Sequence, residues 1–383
     1  MTQPRLVCSV TPVASTAPDA ELIVLGDSLG TTTALWDLVV PVLAQRFRVL
    51  RYDLPGHGFS PATTEPFSIA ELADAVVDLV DTVGGGSFHY AGISLGGAVG
   101  IELALRHPHR LRSVAVICSA ARIGTTEGWV ERARQTRQSG TPSLVSTSAA
   151  RWYAPGFFDR SPAIAAPGLT ALLDIDDESY ALAADALAAF DVRQALGDIR
   201  VPVLCVAGEL DLAAPPEVVR ETAELIGARF EQLPGVGHLP SLEAPAALAA
   251  LVLDHAKVGA FARGIQVRRE VLGDAHVDAA NAKITPETAD FQDFITRYAW
   301  GEIWTRPGLD RRTRSFLTLA TLIGAGHENE LAMHVRAALT NGLTRAEISE
   351  AILHTAIYAS VPSANSAFAI ARQVFAELDA AGD

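Results

Sequence analysis

Three residues far apart in the chain have types and settings suited to acyl transfer. Ser94 lies in Gly92-Ile93-Ser94-Leu95-Gly96, Asp211 in "GELDLAAPPE" and His238 in "PGVGHLPSLEAP". A serine hydroxyl is a weak nucleophile until a base takes its proton. The imidazole that does so needs a carboxylate to fix its tautomer and stabilise its charged form. The order Ser94, Asp211, His238 therefore assigns attack to Ser94, proton removal to His238 and orientation to Asp211. Each follows an apolar run that reads as a strand, as expected for a site at the C-terminal edge of a parallel sheet. Gly92 and Gly96 leave room for the sharp strand-to-helix turn that lifts a serine above such a sheet. An oxyanion hole needs two backbone N–H groups. Leu95, just after the nucleophile, and Leu29, in "GDSLGTTTALW", are placed to supply them. Ser28 lacks the elbow and is a poor alternative nucleophile; His57 in "RYDLPGHGFS" reads as structural.

A second constellation lies in "HENELAMHVRAALTNGLT", residues 327–344. Leu331, Val335, Ala338, Leu339 and Gly342 form an apolar stripe at helical spacing, and Glu330 and His334 project beside it one turn apart. Such a pair is either a solvated i,i+4 interaction or an acid/base couple. Arg312 and Arg314, then His354 and Tyr358, add ionisable groups to otherwise apolar helices nearby.

The elements that must carry these residues fall into two textures. "ELIVLG", "FRVLRYD", "SFHYAGIS", "LRSVAVICSA", "VPVLCVAGE" and "FEQLPGVGH" read as strands. They alternate with helical patterns such as "ALWDLVVPVLAQ", "SIAELADAVVDLVDTV" and "LGGAVGIELALRH". That alternation predicts an α/β fold with helices on both faces of a parallel sheet. Residues 122 to about 195 break it with helical stretches and read as an inserted cap. From Pro286 onward the texture is helical throughout, with helices expected over 286–304, 310–325, 328–341, 345–360 and 363–380. Ser68/Glu71 and Thr344/Glu347 have the form of capping boxes. The expected organisation is an α/β domain over 1–257, a linker over 258–267 and a smaller all-α domain over 268–383.

Composition bounds the partners. With 30 basic and 44 acidic residues among 383, the net charge is −14, which disfavours nucleic acid or an anionic membrane. Local arginines can still bind a small anion. Cys8, Cys118 and Cys205 are widely spaced and read as buried small hydrophobes, so no metal is expected. The chain opens without a basic segment leading into an apolar core, and "APAALAALVL" is too short to cross a bilayer. A cytoplasmic protein is the expectation.

From "DSLGTTTALWD" through "AGISLGGAVGIELALRHPHRLRSVAVICSAARIGTTEGWVERA" to "RWYAPGF", residues 20–257 resemble the 3-oxoadipate enol-lactonases. The resemblance implies an α/β-hydrolase whose cap selects a lactone bearing a free carboxylate. Arginines and flat apolar walls suit that ligand, which makes Arg122, Trp129, Arg134, Arg151 and Trp152 the candidates. The stretch "WGEIWTRPGLDRRTRSFLTLATLIGAGHENELAMHVRAALTNGLTRAEISEAILHTAIYASVPSANSAF" resembles the 4-carboxymuconolactone decarboxylase family over most of 268–380. That family shares its helical fold with the alkylhydroperoxidase D group, which carries Cys-x-x-Cys-His on the matching helix. Here Glu330 and Met333 stand in place of the cysteines, so thiol peroxidase chemistry is excluded.

The resemblance implies a substrate with its own electron sink, an unsaturated lactone carrying a carboxylate γ to the carbonyl, so no cofactor is expected. It casts His334 as acid/base with Glu330 as partner, and Arg306 or Arg314 as the carboxylate ligand, with His354 and Glu302 as alternatives. The product of one implied reaction is the substrate of the other. The two resemblances together predict a bifunctional enzyme of protocatechuate catabolism acting on lactone carboxylates, a homo-oligomer through its C-terminal domain. The rival readings are an esterase or cofactor-free haloperoxidase, and a hydrolase with a catalytically inactive helical oligomerisation module.

Overall fold

The computed structural model describes residues 4–14, 20–306 and 308–381, with backbone alone at 258–260 and 381. The chain divides into two compact units, Met1–Gly259 and Ala260–Asp383.

The first unit is built on seven strands: β1 (Val7–Thr11), β2 (Leu22–Gly26), β3 (Arg48–Asp53), β4 (Phe88–Ile93), β5 (Leu111–Ile117), β6 (Val203–Gly208) and β7 (Arg229–Leu233). They lie in the order β1-β3-β2-β4-β5-β6-β7, with β1 antiparallel to β3 and every other pair parallel. Strands β2, β4 and β6 are buried along their whole length, as their continuous apolar sequences require. The edge strand β1 escapes a sequence reading because "VCSVT" is short and mostly solvent-facing. Ser68 and Glu71 close the capping box that starts the helix Ile69–Thr82.

The segment "ALWDLVVPVLAQ" was expected as one helix and is instead a 3-10 turn, Thr33–Trp36, followed by the short helix Val40–Leu43. Trp36, Val39, Val40 and Leu43 are buried, so the apolar spacing reflects true core positions. Pro41 lacks the N–H needed to continue a helix from the preceding turn. Between β5 and β6 the cap contributes the helices Thr126–Ser139, Val145–Trp152, Pro162–Ala171 and Asp177–Ala189. Arg137 ties the first of these to the last through ion pairs with Glu178 and Asp185.

The stretch expected as a linker, 258–267, is helical, and the division between the two units falls within it, after Gly259. The stretch lies inside one helix, Pro245–Leu272, because "HAKVGAFARGIQVRREVL" keeps helical spacing, with Val267 and Val271 buried one turn apart. By length and mean hydropathy this helix could cross a membrane, but Leu248, Ala249, Val252 and Ala256 on its first turns are buried in the core of the first unit.

In the second unit the helices Asp274–Asn281, Pro286–Ile295, Arg311–Ala325, Glu328–Thr340, Arg345–Tyr358 and Val361–Ala381 follow, with a π-helical stretch at Thr296–Ile303. Sequence reading extends the second of these helices to 304; the structure widens its last turns instead. The Thr344/Glu347 capping box is formed. Two apolar clusters build the unit. Leu331, Val335 and Ala338 pack with Leu319, Ile323, Ile348 and Ile352, while Ala337 joins Val267, Val271 and Trp300.

Candidate active site

Ser94 caps the helix Leu95–Arg106 directly after β4, with φ 57° and ψ −116°. Left-handed backbone at a serine is strained, and the surroundings enforce it. A Cβ at Gly92 would stand 2.2 Å from the Gly96 carbonyl oxygen, and one at Gly96 would stand 2.4 Å from that of Gly26. Only glycine fits at either position, so the G-x-S-x-G spacing is a steric requirement of the elbow. The Ser94 N–H donates to the Ile117 carbonyl at 2.9 Å and that of Gly96 to the Asp27 carbonyl at 3.0 Å. These bonds anchor the elbow to β5 and to the loop after β2.

His238 and Asp211 are both buried, with His238 Nδ1 2.9 Å from Asp211 Oδ2. The other carboxylate oxygen, Oδ1, accepts from the N–H groups of Ala213 and Ala214 at 2.7 and 3.0 Å. The carboxylate is thus fixed at both ends, which leaves Nε2 of His238 as the free base. The His238 N–H donates to the Trp152 carbonyl at 2.9 Å, and Glu243 accepts from the N–H groups of Gly237 and Ala154 at 3.0 Å each. The histidine loop is therefore tied to the cap. The Cys118 sulfur comes within 4.8 Å of the ligand atoms of Asp211 and His238. Burial, and then the nearby Asp211, push its thiol well above the usual range, so it is a neutral neighbour rather than a thiolate ligand.

The loop carrying Leu29 is held by His57. Its Nε2 accepts from the Gly30 N–H at 3.2 Å while Nδ1 donates to the Pro55 carbonyl at 2.9 Å. Both nitrogens are occupied in a neutral ring, so His57 positions the loop and has no proton to exchange with a substrate. Burial lowers its pKa from 6.5 to about 4. A buried His255, lowered likewise to about 4, behaves the same way. For each, stability is fully present above the unfolded value near 6.5 and is lost as pH falls through that value toward 4, about 3 kcal/mol for His57. The thermal midpoint of the first unit should accordingly drop between pH 6.5 and 4; a flat profile there would contradict the neutral-ring assignment.

Ser94, His238, Ser28 and Leu29 line one small cavity with Trp129, Arg132, Arg151, Trp152 and Tyr180 of the cap. Its volume of about 30 Å³ holds little more than a water, so a substrate enters only with movement of the cap side chains. Arg151 also borders a wider pocket of about 470 Å³, which is lined by Arg122 and Arg193 as well.

The cap candidates therefore separate. Trp129, Arg151 and Trp152 face the nucleophile, and Arg122 lines the outer pocket. Arg134 does neither: it is exposed and pairs with Glu131 one turn away, as its position on the outer face of the helix Thr126–Ser139 dictates. The residue that sequence reading misses is Arg132. Its Nε donates to the Tyr180 hydroxyl at 2.6 Å and its Nη2 to Ser148 Oγ at 3.0 Å, and no carboxylate pairs with it among the described residues. The spacing from Trp129, i to i+3 on one helix, is the signal that could have found it.

In the second unit Glu330 is exposed and His334 half-buried. No hydrogen bond or ion pair joins them, although the Glu330 charge acts on the imidazole. Burial, the larger effect, lowers the His334 pKa, and His276 lowers it further. The expected partner of His334 is thus a neighbour rather than a bonded mate. Arg314 donates through Nη2 to the Arg306 carbonyl at 2.8 Å, so it braces the turn before its own helix. Arg312 pairs with Glu347. His354 and Tyr358 are exposed and their rings meet at 5.0 Å.

A serine on a strained elbow, with a buried histidine and aspartate behind it at the end of a parallel sheet, defines the first unit as a serine hydrolase of the α/β type. The chain belongs to the alpha/beta hydrolase fold family, whose model matches residues 21–245, and its second unit to the carboxymuconolactone decarboxylase family, matched at residues 289–373. The 3-oxoadipate enol-lactonase 2 of Acinetobacter baylyi is 35% identical over 193 residues, 50% of this chain and 72% of that one. The 4-carboxymuconolactone decarboxylase of the same organism is 48% identical over 118 residues, 31% of this chain and 88% of that one. Among solved structures, the enol-lactonase from Burkholderia xenovorans LB400 matches with a TM-score of 0.63 at 36% identity, covering 65% of this chain and 95% of its own.

Proposed function

We propose that this chain catalyses two consecutive steps: decarboxylation of 4-carboxymuconolactone to 3-oxoadipate enol-lactone, and hydrolysis of that lactone to 3-oxoadipate. The observation that carries this reading is the pairing of relatives. One unit is akin to a decarboxylase and the other to a hydrolase of that decarboxylase's product.

In the first step the bond from the ring γ carbon to its carboxylate breaks and CO2 leaves. The electron pair moves through the ring double bond onto the carbonyl oxygen, and the α carbon then takes one proton. The lactone is its own electron sink, so the protein has only to hold the anion, stabilise the enolate and deliver that proton. His334 is assigned the delivery; the arriving dicarboxylate raises its lowered pKa again and so favours the imidazolium.

In the second step Ser94 Oγ attacks the lactone carbonyl as His238 takes its proton, and the N–H groups of Leu29 and Leu95 receive the oxyanion. The ring oxygen departs as an enol that becomes the ketone, and water frees the acid from Ser94. Arg132, with Trp129 beside it, is placed to hold the carboxylate of the lactone. Arg132→Ala should raise KM for the enol-lactone on the order of 10- to 100-fold with a smaller effect on kcat. An unchanged KM would remove Arg132 from the site. Preference for the enol-lactone over uncharged esters tests the assignment as a whole, and equal kcat/KM values would favour a general esterase.

Oligomerisation through the second unit is supported by its exposed apolar side chains, including Ile357, Tyr358, Val361, Phe291 and Phe294. A cytoplasmic location, with small lactone carboxylates as the only ligands and no cofactor, completes the proposal.

A further inference from the structure

The decarboxylation proposed above needs a cation for the substrate carboxylate that stays, and neither arginine singled out by sequence serves well. Arg306 and Arg314 belong to the helix Arg311–Ala325 and the turn before it. Leu319 and Ile323 of that helix pack on the Leu331/Val335/Ala338 stripe. Glu330 and His334 lie on the neighbouring stripe with Ala337, and Ala337 packs instead with Val267, Val271 and Trp300. His334 therefore faces the second unit's portion of the helix Pro245–Leu272, on which Arg268 is adjacent to Val267.

Arg268 is unusual for an arginine. It is only 8% exposed, its Nε has no acceptor, and Nη1 reaches only the neutral amide oxygen of Gln292, at 3.4 Å. No ion pair to it exists among the described residues. Several arginines on the same or adjoining elements are paired: Arg269 with Asp274 and Asp278, Arg311 with Glu270, Arg297 with Asp293. Arg314 shares a buried Nε without a partner, but its Nη2 is engaged by the Arg306 carbonyl and it is less buried than Arg268. A buried guanidinium without a counter-charge is costly, and burial accordingly pulls its pKa down. An anion from solution would offset that cost.

The surroundings are arranged for one. His276, on the next helix, is close enough that the Arg268 charge lowers its pKa, and His276 in turn lowers that of His334. One guanidinium and two imidazoles, the exposed His276 and the half-buried His334, thus lie within electrostatic reach in succession, Arg268 to His276 to His334. The π-helical stretch Thr296–Ile303 packs beside them, its Trp300 in one cluster with Val267, Val271 and Ala337 and stacked at 5.2 Å on Trp304, the residue that ends the stretch. Such a widened turn is frequent at functional sites. Gly264, one turn before Arg268, lets the two elements meet, since a Cβ there would stand 1.9 Å from the Thr296 carbonyl oxygen.

We infer that Arg268 binds the retained carboxylate of the decarboxylated lactone, with His276 lining the same site across from His334. The inference rests on the decarboxylase reading of the second unit. The retained carboxylate is the one assigned, because a desolvated guanidinium on the leaving carboxylate would stabilise the ground state and slow the loss of CO2.

The test uses the full chain; hydrolysis of the enol-lactone reports on the first unit of each variant, and circular dichroism with thermal unfolding reports on the second unit, where Arg268 lies. Arg268→Gln should raise KM for 4-carboxymuconolactone on the order of 10- to 100-fold with kcat changed far less, and Arg268→Lys should fall between it and the unaltered chain. Guanidinium ion added to Arg268→Ala should lower its raised KM, an effect a purely structural arginine would not give. An unchanged KM in Arg268→Gln, or no guanidinium rescue, overturns the assignment while leaving the decarboxylase reading intact. Absence of CO2 release by the unaltered chain overturns both.

Discussion

Replacing Ser94 with alanine should stop lactone hydrolysis and leave decarboxylation running at its original rate, so that enol-lactone accumulates. The expected loss is on the order of 10⁴- to 10⁶-fold in kcat for hydrolysis. The size follows from geometry. Ser94 is the one hydroxyl presented by the strained elbow after β4, beside His238, whose Nδ1 is fixed on Asp211 at 2.9 Å. Two other serines line the cavity without that setting: Ser28 lies in the loop after β2, and Ser148 Oγ accepts from Arg132. Stopped assays on the enol-lactone and on 4-carboxymuconolactone, run on the same preparation, check both halves. Parallel loss of the two activities would mean that the sites are not separate.

His334→Ala should give the mirror result, with decarboxylation reduced on the order of 10²- to 10⁴-fold and hydrolysis untouched. Proton delivery needs the imidazolium, and burial holds the pKa of His334 in the free protein below its usual 6.5. For decarboxylation, kcat/KM should therefore fall as pH rises through that lowered value. Glu330→Gln should cost much less, because no hydrogen bond joins Glu330 to the imidazole. A Glu330 variant as crippled as the His334 variant would transfer the central role to the carboxylate.

The hydrolase site was legible in the sequence because its chemistry depends on local sterics. Gly92 and Gly96 are demanded by backbone approaches of 2.2 and 2.4 Å, and each triad member follows a strand, directly for Ser94 and across a short loop for Asp211 and His238. The cap was legible only as a cap. Arg134 and Arg132 are two residues apart on one helix, so one faces Glu131 and solvent while the other faces the nucleophile. Composition cannot say which; the i to i+3 relation of Arg132 to Trp129 could. In the second unit the helices were readable from caps and periodicity. The helical run through 258–267 was obscured by its mixture of charged and apolar residues. Arg268 hid in that stretch, because its significance is burial without a counter-charge, a property of packing that a sequence does not display.

The most direct measurement is a single time course of the purified protein with 4-carboxymuconolactone as sole substrate, following CO2, enol-lactone and 3-oxoadipate together. One CO2 and one 3-oxoadipate per lactone consumed, with enol-lactone as a transient, is the expected result. A chain that hydrolyses added enol-lactone but releases no CO2 from 4-carboxymuconolactone would contradict the account and reduce the second unit to an assembly module.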